Sequence, residues 1–289
     1  MTHEERIDIC KKCDHKKVDY EKGIVCDLTD ERPDFEGTCP TFKARSENVS
    51  AYKTNIDFNA SVALKPNQKR ASYAIYALYA NLVLAALTLI ALLNENQVLK
   101  DYLNGLDVSE SRFESTDLLT AVIAGLTVLV LIATAVLFIQ WFRRAYYNLH
   151  LRTKHCKYTE SMALWAWFIP IVNLFRPNEI MREMVDTTAG LLNSDDKSIS
   201  KIKNFVMFWW IAWVINNISA QIIFRMNKNP DSAEEIIVSN NAELAVLPIE
   251  VIAAIFAILV IKSYSKLEEQ LQLRENATDE LELIGEHND

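Results

Sequence analysis

Four apolar stretches, each long enough to cross a bilayer, constrain this chain more than any other feature: Tyr73–Leu93, Leu118–Phe142, Phe205–Phe224 and Leu244–Ile261. A hydrocarbon core roughly 30 Å thick takes about 20 helical residues at about 1.5 Å rise each. No water is present there to satisfy backbone N–H and C=O groups, so each stretch must pair its own as a helix. The expected class is an all-α integral membrane protein, a four-helix transmembrane bundle in contact with the lipid bilayer.

Charge orients the spans. Lys65, Lys69 and Arg70 precede the first. Arg143, Arg144, Arg152, Lys154 and Lys157 follow the second, and Arg176, Arg182, Lys197, Lys201 and Lys203 precede the third. Lys262 and Lys266 follow the fourth. The loop after span one sets Lys100 and Arg112 against six acidic residues, and the loop after span three sets Arg225 and Lys228 against four. Basic flanks stay on the side of synthesis, which places both termini in the cytoplasm of a multi-pass inner-membrane protein. Met1–Asp8 is polar and acidic with no apolar run behind it, so no secretory signal is expected. The net charge of −8 argues against nucleic acid as a partner.

The chain divides into a cysteine-rich head over 1–43, a polar linker over 44–70, a membrane domain over 71–265 and a charged cytoplasmic tail over 266–289. Between spans two and three lies an unusual connection. Ser161–Phe175 is apolar but too short to span, has basic flanks on both sides, and contains the helix-breaking Pro170. Trp165 and Trp167 suit the headgroup layer, so residues 161–193 read as a re-entrant or interfacial segment followed by an amphipathic helix. Pro177 fits the first turn of that helix. Its apolar face (Ile180, Met181, Met184, Val185, Leu191, Leu192) either lies on the membrane surface or packs against the bundle, with Arg182 and Asp186 as an i,i+4 pair.

The head spaces its thiols as Cys10-x2-Cys13-x12-Cys26-x12-Cys39. Two thiolates from a tight CxxC turn, joined by two more, make a tetrahedral set for one structural zinc ion. A module this small has too little core to fold unaided, which makes a metal staple physically sensible. Ile24, Val25, Leu28 and Phe35 are expected to cover the site, with Gly23 and Gly37 in turns. The alternatives are disulfides or free thiols, and a cytosolic head disfavours disulfides. A closed four-thiolate site leaves no open position for substrate. Cys156, near His150 and His155, reads as a surface residue.

Within the spans, Asn81, Asn216, Asn217 and Gln221 are expected to hydrogen-bond between helices. Glu250 is the sharper group, because an intramembrane carboxylate must be paired, protonated or wet. No second intramembrane acid or base is read beside it.

From span two to span three the text runs WFRRAYYNLHL, YTESMALWAWFIPIVNLFRPNEIMREM and FWWIAWVINNIS. It resembles the bacterial membrane family named domain of unknown function 4328, over roughly residues 71–270. The pattern rests on Trp141, Arg144 and Asn148, on Trp167, Phe168, Pro170, Asn173, Arg176 and Pro177 with Arg182 and Glu183 behind, and on Trp209 and Trp210. The resemblance implies a four-helix membrane domain with a cytoplasmic surface segment, and no activity. Physically the matched residues form a belt at the cytoplasmic face: Arg144 and Asn148 are expected to bond carbonyls left unpaired by Pro170 and Pro177. Arg143, Arg144 and Arg176 would attract anionic lipid headgroups. The head is similar to a small cysteine module that opens some bacterial membrane proteins, which implies metal binding only.

Three functions compete. A membrane-anchored interaction or regulatory scaffold would present the head and tail, where Leu267 and Leu271 have the spacing of a helix for a protein partner. A small-solute or ion transporter or channel would need to oligomerise. An enzyme is not expected: no nucleophile triad, HExxH or phosphate-cradling loop is present.

Overall fold

The computed structural model describes residues 3–11, 13, 15–19, 23–29, 31–43, 64–226 and 232–286. Most of the expected linker, up to residue 63, lies outside them. The chain forms two units, Met1–Asp57 and Phe58–Asp289.

In the first unit, helix α1 (His3–Lys11) leads into an antiparallel hairpin of β1 (Lys16–Asp19) and β2 (Gly23–Cys26), with Lys16 opposite Cys26. Gly23 therefore begins a strand instead of making a turn. Gly37 does turn, with φ +83°, a left-handed conformation that suits a residue without Cβ. Val25 is fully buried, but Leu28 is exposed and covers nothing. An Arg6–Asp34 ion pair (3.1 Å) ties α1 to the irregular segment that carries Cys39.

The second unit is helical. Its elements are α2 (Gln68–Leu103), α3 (Glu110–Arg152), the short α4 (Met162–Trp165), a 3₁₀ turn (Val172–Leu174), α5 (Arg176–Leu192), α6 (Asp196–Met226) and α7 (Ala233–Glu286). Four of these, α2, α3, α6 and α7, are long and apolar enough to cross a membrane. Each contains one expected span and runs well past it. At about 1.5 Å per residue, α2 is roughly 54 Å long and α7 roughly 80 Å, against a hydrocarbon core of about 30 Å. α2 packs on α3 and α7, and α7 also packs on α5 and α6. The most apolar window of α3 is only 17% buried, against 39% for α7, so α7 is central and α3 peripheral. Pro248 lies within α7, which continues through it.

The largest buried side chains gather at the end where the basic flanks meet. Trp141, Phe142, Tyr146 and Leu149 of α3 pack with Ile180, Met181, Met184 and Val185 of α5 and Ile261 and Tyr264 of α7. Of the two alternatives for the amphipathic helix, α5 takes the second: its apolar face is buried against protein. Each such side chain contributes roughly 1.5–3 kcal/mol. Asp186 is not paired with Arg182; it meets Lys203 of α6 at 2.6 Å. Asn193, at φ +50°, ends α5 in the left-handed conformation that asparagine tolerates.

Candidate functional site

In the head, Cys10 lies in the last turn of α1, Cys13 closes a turn onto the Cys10 carbonyl (3.1 Å), Cys26 ends β2, and Cys39 follows the Gly37 turn. All four line one cavity of about 240 Å³, together with His15 and Glu31. None is in a disulfide. Burial pushes the Cys10 thiol above its usual range, and the charges of Cys39, Cys13 and Cys26 push the same way. The donor set is the soft four-sulfur kind that suits zinc. Among the described residues, however, no group of three or more His, Cys, Asp or Glu side chains stands close enough to hold a metal ion.

The basic end of the helical unit holds the expected belt, in a different arrangement. Asn148 is buried and bonds neither proline segment. Its amide donates to Glu268 Oε1 of α7 (2.7 Å) and to the Lys65 carbonyl (3.0 Å), and its oxygen accepts from Lys65 N–H (3.2 Å). Asn67 donates to Glu268 Oε2 (3.1 Å) and to the Trp141 carbonyl (3.3 Å). One buried carboxylate thus gathers α2, α3 and α7. A turn further on, Arg152 donates two bonds to Glu275 (2.8 and 2.9 Å), and both side chains are nearly excluded from solvent. Trp141 Nε1 donates to Ser265 Oγ (3.2 Å). Arg144 is half-buried over the Tyr147 ring, 5.9 Å from its centroid.

The remaining belt residues hold the connection. Glu183 accepts from the Tyr146 hydroxyl (2.9 Å) and from Lys157 N–H. Arg176 donates to Glu179 (2.9 Å) and lies 4.3 Å from the centroid of Tyr158, whose hydroxyl donates to the same carboxylate. Pro177 is buried in the first turn of α5. Pro170 is exposed and its carbonyl accepts from Val172 N–H (2.8 Å), while Asn173 is half-buried in the 3₁₀ turn. Trp167 joins Phe138, Phe142, Trp209, Trp210 and Trp213 in one aromatic cluster, and Trp210 Nε1 donates to the Leu174 carbonyl (3.1 Å). Trp165, Phe168, Ile171 and Phe175 face outward.

Among the polar groups of the spans, Asn81 makes the expected bond between helices, donating to Thr134 of α3 (2.6 Å). Asn217 instead donates to the Trp213 carbonyl of its own helix (2.8 Å), Asn216 is half-exposed and Gln221 is exposed. Glu250 is half-buried and lies about two turns along α7 from the half-buried Glu243. Asn240 donates to Glu95 (2.9 Å) and Asn96 (3.1 Å), and Asn96 donates to Asn241 (3.1 Å). These groups cluster at the end opposite the basic flanks.

A family model described as domain of unknown function (DUF4328) matches residues 104–266, more than half of the chain. The chain belongs to the DUF4328 family. The DUF4328 match begins after α2, some thirty residues later than the resemblance suggested, and takes in α3 to α6 and α7 as far as residue 266. Asn148 and Arg152 fall inside the DUF4328 region, whereas their partners Lys65, Glu268 and Glu275 fall outside it. No curated protein and no solved structure matches the chain.

Proposed function

We propose that this DUF4328 protein is a membrane-anchored interaction or regulatory scaffold, not an enzyme, whose head is held by one structural zinc ion on Cys10, Cys13, Cys26 and Cys39. One observation carries the reading: all four thiols line a single cavity in a unit whose described residues form almost no apolar core. Closure of the thiols on the ion would supply the folding energy that so small a core lacks. A closed site of this kind offers no open coordination position, so the head is assigned recognition, with the exposed Leu28 and Phe42 as surface for a protein partner. The reading places the domain in a bacterial inner membrane with both termini on the reducing side, where the thiols stay free for metal. The short segment around Pro170 inserts its outward Trp165, Phe168 and Ile171 into the interface.

The test is metal analysis of the purified full-length protein. One zinc per chain is expected, with complete loss in the Cys10→Ser, Cys13→Ser double variant while the bundle stays inserted. Wild-type protein without zinc, or a double variant with full stoichiometry, overturns the zinc head.

A second reading, an oligomeric ion or proton pathway, is favoured only by the run of Glu95, Glu243 and Glu250 along the bundle. Liposomes holding the protein are expected to show no proton flux, and flux that Glu250→Gln abolishes would replace the scaffold reading.

A further inference from the structure

At the basic end of the helical unit lies a pocket of about 270 Å³ lined by Lys65, Arg70, Arg143, Arg144, Tyr147 and Glu160. Four cations share it with one carboxylate. Among the described residues Glu160 pairs with Arg143, at 3.5 Å. Arg70 donates to the Gln140 carbonyl (3.2 Å), which uses one of its five donors, and it lies within the repulsive field of Arg144 and Arg143. Lys65 Nζ sits 4.4 Å over the Tyr147 ring, and Arg144 shares that ring.

This crowding of like charge is built in. Asn148 clamps both backbone groups of Lys65 and fixes that residue beside the pocket. Lys69 and Arg70 occupy the first turn of α2, which holds no acidic residue. Cations there oppose the helix dipole, and an anion would relieve both that and the mutual repulsion. Arginine forks match phosphate oxygens. The pocket's Arg70 precedes the first apolar stretch and its Arg143 and Arg144 follow the second, so it lies where the first two spans leave the apolar zone. Arg176, read from the sequence as part of such a site, is instead engaged by Glu179.

We propose that Lys65, Arg70, Arg143 and Arg144 form a binding pocket for a phosphate group, carried by an anionic lipid headgroup or free in solution. This site stands independently of the zinc head. The test uses the full-length protein in phospholipid-free detergent. One arm adds phosphatidylglycerol or phosphatidylcholine and counts retained lipid by native mass spectrometry; the other titrates inorganic phosphate and follows the melting temperature. Wild type is expected to retain phosphatidylglycerol over phosphatidylcholine, and the Arg70→Gln, Arg144→Gln double variant to bind at least about tenfold more weakly. Arg182→Gln, an exposed change on α5, is expected to bind as wild type. Glu160→Gln is expected to bind more tightly, an outcome that misfolding would not produce. Loss confined to the lipid arm identifies a headgroup site, and loss in both arms a general phosphate site. Unchanged binding in the double variant, or no gain in Glu160→Gln, overturns the proposal.

Discussion

Arg152 and Glu275 form a bidentate ion pair with side-chain exposures of 5% and 9%, across 123 residues of sequence. Removing one member strands the other charge away from water. Arg152→Ala is therefore expected to lose about 3–5 kcal/mol, read as a drop in detergent melting temperature, whereas a joint Arg152→Met, Glu275→Leu change should be close to neutral. Nothing in the sequence marks this pair, because arginine past a span and glutamate in a charged tail look solvated until the fold brings them together. Asn67 was hidden in the same way: a polar residue after Pro66 reads as linker, yet it is buried and bonded to Glu268. Cys156 is a different case. Burial, and then the charge of Glu183, push its thiol from 9.0 up to about 12. Its folded value is raised, so its contribution to stability is fully present below about pH 9 and disappears as pH climbs toward 12. Iodoacetamide at pH 9 should accordingly leave Cys156 unmodified in folded protein and label it fully in denaturant.

At the scale of elements, the four long helices were legible because bilayer thickness dictates their minimum length. Their overhangs were not, because outside the lipid a helix is specified by packing. The start of the expected tail shows this. Leu267 and Leu271, spaced as if for a foreign helix, are buried in the protein's own basic end, and Arg274 donates to the last carbonyls of α5 at Leu191 and Leu192 (3.3 and 3.1 Å). The connection between α4 and α5 carries local strain, with the β-branched Ile171 at φ +68°. Ile171→Gly should relieve it and raise stability by up to about 1 kcal/mol in detergent. Asn81→Ala, which removes the bond from α2 to Thr134, should lower stability by about 0.6 kcal/mol on the same measure.

The whole molecule places its densest core at one end of the bundle. Along the rest of the spans, apolar side chains of α3 such as Leu118, Val128, Leu129 and Ile132 face outward, as lipid contact requires. The charge pattern predicts which end is cytoplasmic. A cysteine at exposed Leu106 should react with an impermeant maleimide added to intact cells, and tags at either terminus should not; the opposite pattern reverses the orientation and removes the argument against disulfides in the head. The distribution of indoles has an optical consequence. Five of the six tryptophans share one aromatic cluster, and only Trp165 looks outward. Energy migrating within the cluster will dominate the intrinsic emission, while brominated acyl chains should quench chiefly Trp165. The chain thus carries its own depth gauge for the segment whose seat in the bilayer matters most.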